Sequence, residues 1–77
     1  MNPGRKKKIT KEFGNRLKKI RNDKKISLRQ LASETEIEHA HIARMEIGEV
    51  NPTLTTVILL AEALQVDPCV LIAPLKQ

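Results

Sequence analysis

The sequence predicts an all-α fold, a compact bundle of five short helices that follows a flexible basic N-terminal arm. Apolar residues recur at intervals of three and four, the spacing of an amphipathic helix, in segments separated by breaks. No segment alternates apolar and polar residues as a half-buried strand would, and no internal repeat is present. The 77 residues, 40% of them apolar, suit one domain near the lower size limit for a self-sufficient core.

The N-terminal segment sets the first boundary. Residues 1–9 start with Met-Asn-Pro-Gly, continue with four consecutive basic residues and show no helical periodicity. We therefore predict a flexible arm over 1–9 and a folded helix-containing domain over 10–77. Thr10 is the expected N-cap of a first helix over 11–23. The apolar face of this helix has four- and three-residue spacing: Phe13, Leu17 and Ile20.

The start of the second helix is better marked. Ser27 is a suitable N-cap, and Gln30 stands three residues later, which completes a capping box. Ile26 and Leu31 have the spacing of a hydrophobic staple around that cap. These signals predict a helix over 28–35.

Three further helices follow. After a break at 35–38, the third helix is expected over 39–47, with Gly48 at a positive φ that ends it. Thr53, which follows Asn-Pro, is the expected N-cap of a fourth helix over 54–64. Its predicted core face consists of Leu54, Val57, Ala61 and Leu64, with Leu60 beside it. Asp67 and Pro68 should begin a short fifth helix.

Positive charge is concentrated near the N-terminus. Up to Arg29, 12 Lys and Arg residues face two acids, a net of +10, whereas from Gln30 onward two basic residues face seven acids, a net of −5. The two parts sum to the overall +5. A basic N-terminal third suits a polyanion such as a phosphate backbone, and a solvated, solubilising tail is the alternative interpretation.

The second and third predicted helices form the informative pair. Two helices joined by a three- or four-residue turn, with the second helix exposed, form a helix-turn-helix. Ala32 is the small residue needed where such helices cross, and apolar residues stand behind them: Leu31, Ile37, Ile42 and Met45. The third helix could then offer one side to the DNA major groove: His39, Ala40, Ala43 and Arg44, with His41 flanking. A plain helical hairpin is the alternative.

Four motifs run in order and without gaps from Phe13 to about Leu71, about three quarters of the chain. The first is Phe13-Gly14, Leu17 and Ile20-Arg21, and the second is Leu31-Ala32. The third is Ile42, Met45-Glu46 and Gly48. The fourth is Asn51-Pro52-Thr53-Leu54, Thr56-Val57, Leu60-Ala61, Ala63-Leu64 and Val66. Together these residues resemble the Cro/C1-type (lambda-repressor-like, also called XRE) helix-turn-helix family.

The resemblance implies specific roles. Arg21 and Glu46 should form a structural ion pair that joins the first helix to the end of the third. His39, Ala40 and Arg44 occupy the base-facing positions; Arg44 could reach guanine or a phosphate, and Ala40 a thymine methyl group. Phosphate contacts are expected from helix N-termini and basic side chains: Leu28, Arg29, Asn51, Thr53, Lys11 and Lys8.

Several residues depart from the family pattern. Leu28 stands where the family often has a DNA-contacting glutamine, and Glu36 where glycine is usual in the turn. Glu38 replaces the usual serine or threonine cap of the third helix, and Glu49 brings an acid to a loop that is often basic. Either the basic arm compensates for these acids, or this surface serves another partner. Glu38 could also accept a hydrogen bond from cytosine.

A metal site, a cofactor and an enzymatic activity are not expected. His39 and His41 are separated by roughly 200° around a helix, so they could not share one metal ion from a continuous helix. There is no glycine-rich phosphate loop and no nucleophile motif. Cys69, the only cysteine, stands in an apolar run and is expected to be a buried, inert thiol.

Apolar residues in excess of one small core predict a homodimer. Ile58 and Leu59 stand at positions that the family usually leaves polar, and Val70 and Leu75 add to them. A slightly oversized core is the alternative.

The predicted function is sequence-specific binding of double-stranded DNA by a homodimeric transcriptional regulator, most simply a repressor. An antitoxin or controller-type protein, whose main role is to bind a protein partner such as a toxin, is the alternative. The single cysteine and the absence of an apolar leader or membrane segment suit the bacterial cytoplasm and its nucleoid.

Overall fold

A computed structural model describes residues 3–72 of the chain. Five helices account for the regular structure of this part: α1 Pro3–Asp23, α2 Leu28–Thr35, α3 His39–Glu46, α4 Leu54–Leu64 and α5 Pro68–Ile72. The all-α prediction is therefore confirmed. None of the helices within residues 3–72 is both long and apolar enough to cross a membrane.

The first helix is longer than predicted. Residues 3–9, expected to form a non-helical arm, belong to α1. Thr10 is not an N-cap; it lies inside the helix, and its hydroxyl donates to the carbonyl oxygen of Lys7 at 3.0 Å. Lys and Arg are good helix formers, and proline is tolerated in the first turn of a helix. Residues 3–9 can therefore extend α1 toward the N-terminus although they lack an apolar face.

The other helix starts agree with the sequence. Ser27 and Gln30 form the capping box, each side chain bonded to the other's backbone N–H at 3.0 Å. Thr53 accepts from the N–H of Thr56 at 3.1 Å, and Asp67 accepts from the N–H of Cys69 at 2.9 Å. Gly48 follows α3 with φ +81°, as the predicted stop requires. Three of the four predicted N-caps, Ser27, Thr53 and Asp67, therefore begin helices as expected, and Gly48 ends α3.

All five helices contribute to the core, α3 through its inner side and α5 through Leu71. Its buried apolar residues are Phe13, Leu17, Leu31, Ile42, Met45, Val57, Leu60, Ala61, Leu64 and Leu71. The prediction that Leu54 belongs to this core is wrong, since its side chain is 76% exposed. Leu54 is the first residue of α4, and the buried part of the helix begins one turn later, at Val57.

Candidate nucleic-acid interface

The turn between α2 and α3 is three residues long and tightly held. Glu36 takes the left-handed conformation with φ 61°, and its N–H donates to the carbonyl oxygen of Ala32 at 2.8 Å. The buried Thr35 hydroxyl donates to the Leu31 carbonyl at 2.8 Å and accepts from the N–H of Ile37 at 3.2 Å. Thr35 was not among the predicted site residues; its place at the end of α2 gave only a weak signal. The two helices form a helix-turn-helix.

Helix α3 presents one side to solvent. Its inner side consists of the buried residues Ile42, Met45 and Glu46. Of the five residues predicted to read bases, three are exposed and two are half-buried: His39, Ala40 and Arg44, then His41 and Ala43. The side chain of Glu38 stands at the N-cap of α3 without a capping hydrogen bond, so its carboxylate remains available to solvent or a ligand.

An ion pair fixes α3 against α1. Arg21 Nε donates to Glu46 Oε2 at 2.6 Å and Nη2 donates to Oε1 at 3.0 Å, and both residues are buried. Arg21 Nη1 donates to the carbonyl oxygen of Ile26, just before α2, at 2.9 Å. The hydrogen bond to Glu46 raises the pKa of the Arg21 guanidinium, so this side chain stays charged. One side chain therefore holds together α1, the start of α2 and the end of α3.

A glycine allows α1 and α3 to approach closely. A Cβ at Gly14 would meet the carbonyl oxygens of Met45 and Glu46, the latter at 2.6 Å. No larger residue fits there without a backbone shift, because the clashing atoms belong to the backbone of the last turn of α3. Gly14 thus allows the last turn of α3 to lie directly against α1.

The residues predicted to contact phosphates lie on the surface. Arg29, Asn51, Thr53, Lys8 and Lys11 are exposed, and Leu28 is half-buried. The Ser27 side chain accepts from the N–H of Gln30. The amide groups before Gln30 stand in the first turn of α2, where a helix provides no acceptor for them. Such amides at a helix N-terminus suit a phosphate oxygen.

The predicted dimer residues on α4 and α5 are partly exposed. Ile58 and Leu59 are each 37% exposed and Val70 is 43% exposed, whereas Leu75 lies outside the described residues. Cys69, expected to be buried, is exposed because Leu71 and not Cys69 faces the core. The hydrogen bond with Asp67 raises the pKa of the Cys69 thiol, which makes the thiolate less available.

Within residues 3–72, no three His, Cys, Asp or Glu side chains come together in a group that could hold a metal ion. His39 and His41 stand on α3, one exposed and the other half-buried.

A family model for helix-turn-helix proteins, HTH_3, matches residues 17–71, which is more than half of the chain. The chain belongs to this family, as the Cro/C1-type motifs predicted. No match was found among curated proteins.

Two solved structures share the fold. The restriction-modification controller protein C.AhdI from Aeromonas hydrophila superposes with a TM-score of 0.79 and 31% identity, over 80% of this chain and 94% of the controller. An HTH_3 family transcriptional regulator from Vibrio cholerae gives a TM-score of 0.83 and 26% identity over 88% of this chain. The present chain spans only 38% of that regulator's length. Fold, motifs and family together identify a member of a family of DNA-binding regulators.

Proposed function

We propose that this protein represses transcription by binding a pseudo-palindromic operator as a homodimer. The observation that supports this proposal best is the exposed side of α3, held in place from behind by the Arg21–Glu46 pair. A helix fixed in this way can enter the major groove without reorganising, because its buried side already packs on α1 and α2.

Readout is assigned to the exposed side of α3. Arg44 has the length and the donor geometry to bond guanine O6 and N7, and Ala40 can touch a thymine methyl group. His39, half-buried His41 and Ala43 complete the surface that meets base edges. Arg29 in the first turn of α2 and Asn51 before α4 are both exposed, and we assign them to the sugar-phosphate backbones.

The homodimer is proposed from the apolar surface of α4 and α5. Ile58, Leu59 and Val70 each expose more than a third of their surface and lie outside the buried core. Pairing two copies through this surface would remove it from water. A two-fold dimer would set two α3 helices about 34 Å apart, one turn of DNA, and would require an operator with matching half-sites.

Sequence readout is tested with Arg44→Ala, with Arg29→Ala as the matched control. Affinities would be measured by fluorescence anisotropy on an operator and on all single-base variants of one half-site. We expect Arg44→Ala to relax specificity at one base pair by about 1 to 3 kcal/mol and Arg29→Ala to weaken binding equally for all sequences. Uniform loss with Arg44→Ala would reassign this side chain to phosphate.

The dimer is tested by sedimentation equilibrium on Ile58→Lys, with Ile9→Lys as the control. Both residues are exposed isoleucines, at 37% and 43%, but Ile9 stands on α1. We expect Ile58→Lys to shift the protein to monomer and to weaken operator binding, and Ile9→Lys to remain dimeric. Dimerisation unaffected by Ile58→Lys would contradict the proposed interface.

A controller of restriction-modification genes is the more specific candidate. It is favoured by the similarity to C.AhdI, since the superposition covers 94% of that controller. The proposal places the binding site in a promoter that neighbours a restriction endonuclease or methyltransferase gene. Footprinting across the adjacent genes tests this, and protection confined to promoters of unrelated genes would contradict it.

A further inference from the structure

An open groove of about 610 Å³ runs between the N-terminal part of α1 and the segment that joins α3 to α4. The α1 wall consists of Lys6, Lys7, Thr10 and Lys11. The opposite wall is the segment 47–51, which includes two apolar side chains, Ile47 and Val50. All four residues of the α1 wall lie before the residues matched by the family model, which begin at residue 17.

The groove is built by direct contact between its two walls. The Thr10 hydroxyl lies 3.4 Å from the carbonyl oxygen of Gly48. A Cβ at Gly48 would lie 2.9 Å from Lys11 Cα, so the backbone of the segment rests on the helix itself. This packing orders the wall before any ligand binds, which reduces the entropy that binding must offset.

The groove is positively charged, and its lysines form no ion pair within residues 3–72. Lys6, Lys7 and Lys11 are all exposed, and neither of the two ion pairs within residues 3–72 involves them. Glu49 is the only carboxylate along the walls, so three ammonium groups face one acid. A ligand with spaced negative charges would be attracted to such a surface.

The groove continues the exposed side of α3. Ile47 follows Ala43 by four residues and Ala40 by seven, which places all three on one side of the helix, and Ile47 is 55% exposed. The N-terminal residues of a recognition helix reach the bases, so its C-terminal end lies nearer the rim of the major groove, where phosphates run. Asn51, an expected phosphate contact, lines the same groove.

We propose that this groove holds the phosphodiester backbone of DNA beside the bases that α3 contacts. Lys6 and Lys7 are assigned as phosphate-binding residues, and Ile47 and Val50 pack against the sugars between phosphates. The inference rests on the proposed DNA-binding function and extends the interface to a part of α1 that the family match does not include. Lys8 does not line the groove, although it lies next to Lys7 in sequence.

The test compares two double variants with equal loss of charge. Lys6→Ala/Lys7→Ala removes the groove lysines, whereas Lys18→Ala/Lys24→Ala removes two exposed lysines farther along the chain that do not line it. Alanine favours helix, so α1 should persist in both, as circular dichroism would verify. The readout is the slope of log K against log salt for operator binding.

Each phosphate neutralised contributes about 0.9 to that slope, so we expect the groove variant to lower its magnitude by about 1.8. The control variant should keep the slope of the unmodified protein. Equal slopes for all three proteins, or an equal decrease in both variants, would overturn the assignment. Binding of DNA by the unmodified protein is measured first, so failure of the proposed function would be seen separately.

A second measurement distinguishes DNA from a free phosphate compound. Inorganic pyrophosphate is titrated into the protein without DNA while amide resonances of the groove residues are followed by NMR. We expect only weak, non-saturating shifts that disappear with salt. Saturable binding at low concentration, with the DNA slope unchanged in the groove variant, would reassign the groove to a small phosphorylated ligand.

Discussion

The ion pair between Arg21 and Glu46 supports a quantitative prediction about stability. Glu46→Ala removes the carboxylate and leaves the Arg21 guanidinium buried against the core, with only its bond to the Ile26 carbonyl. Removing one partner of a buried pair costs about 3 to 5 kcal/mol, because the remaining charge loses both its partner and water. We expect Glu46→Ala to lower the free energy of unfolding by this amount.

This loss is large relative to the free energy of unfolding of the whole domain. A 77-residue domain has a free energy of unfolding of about 4 to 12 kcal/mol, on the usual scale per residue. Glu46→Ala therefore removes at least about a quarter of this free energy, and all of it if the domain lies at the low end of the range. The double variant Arg21→Met/Glu46→Leu should be more stable than Glu46→Ala, since apolar residues of similar volume leave no buried charge.

Urea unfolding followed by circular dichroism at 222 nm measures both variants, provided that the m-value stays constant. The surface pair Lys19–Asp23, joined at 3.3 Å with both side chains mostly exposed, supplies the control. Asp23→Ala should cost less than about 1 kcal/mol. A loss below about 1 kcal/mol for Glu46→Ala, or a double variant less stable than Glu46→Ala, would refute the reasoning.

Three further predictions concern local structure. Glu36→Gly should raise the free energy of unfolding, measured by urea unfolding, by about 1 kcal/mol, because glycine adopts φ 61° without the steric cost that a Cβ brings. An unchanged free energy of unfolding would argue against strain in the turn. Gly14→Ala should lower the free energy of unfolding by about 1 to 3 kcal/mol although alanine has the better helix propensity, because the alanine Cβ would meet backbone oxygens of α3. A stabilised variant would contradict the close approach of α1 and α3. The Cys69 N–H lowers the pKa of the Asp67 carboxyl, so an NMR titration should find its pKa below the ordinary value of an aspartate. Its stabilising effect should be present above the unfolded pKa and lost as pH falls through the folded pKa. A midpoint at or above the ordinary aspartate value would exclude the hydrogen bond between Asp67 and the Cys69 N–H.

The boundaries of α2 to α5 could be predicted because their signals are local. Ser27 and Gln30 need only their own turn to form a capping box, and Gly48 needs only its own φ to end α3. Local information failed for the start of α1, where good helix formers without an apolar face resemble a disordered basic tail. It also failed for Leu54, whose burial depends on where neighbouring helices end.

The candidate site likewise has some features that the sequence predicts and others that depend on tertiary contacts. The exposed side of α3 follows from helical periodicity, so Arg44 could be placed from sequence. The groove beside Lys6 and Lys7 could not, because it depends on contact between Thr10 and Gly48, 38 residues apart. The close approach at Gly14 is likewise tertiary, although a glycine inside a helical pattern hinted at it.

The central claim, that this chain is a sequence-specific DNA-binding regulator, is tested most directly by one salt series. Binding to the DNA just upstream of the gene is compared with binding to scrambled DNA of equal length. We predict affinity at least about a thousandfold tighter for the upstream DNA, with log K falling linearly as log salt rises. Equal, weak affinity for both DNAs would contradict the account and would leave only non-specific attraction by the basic residues of α1.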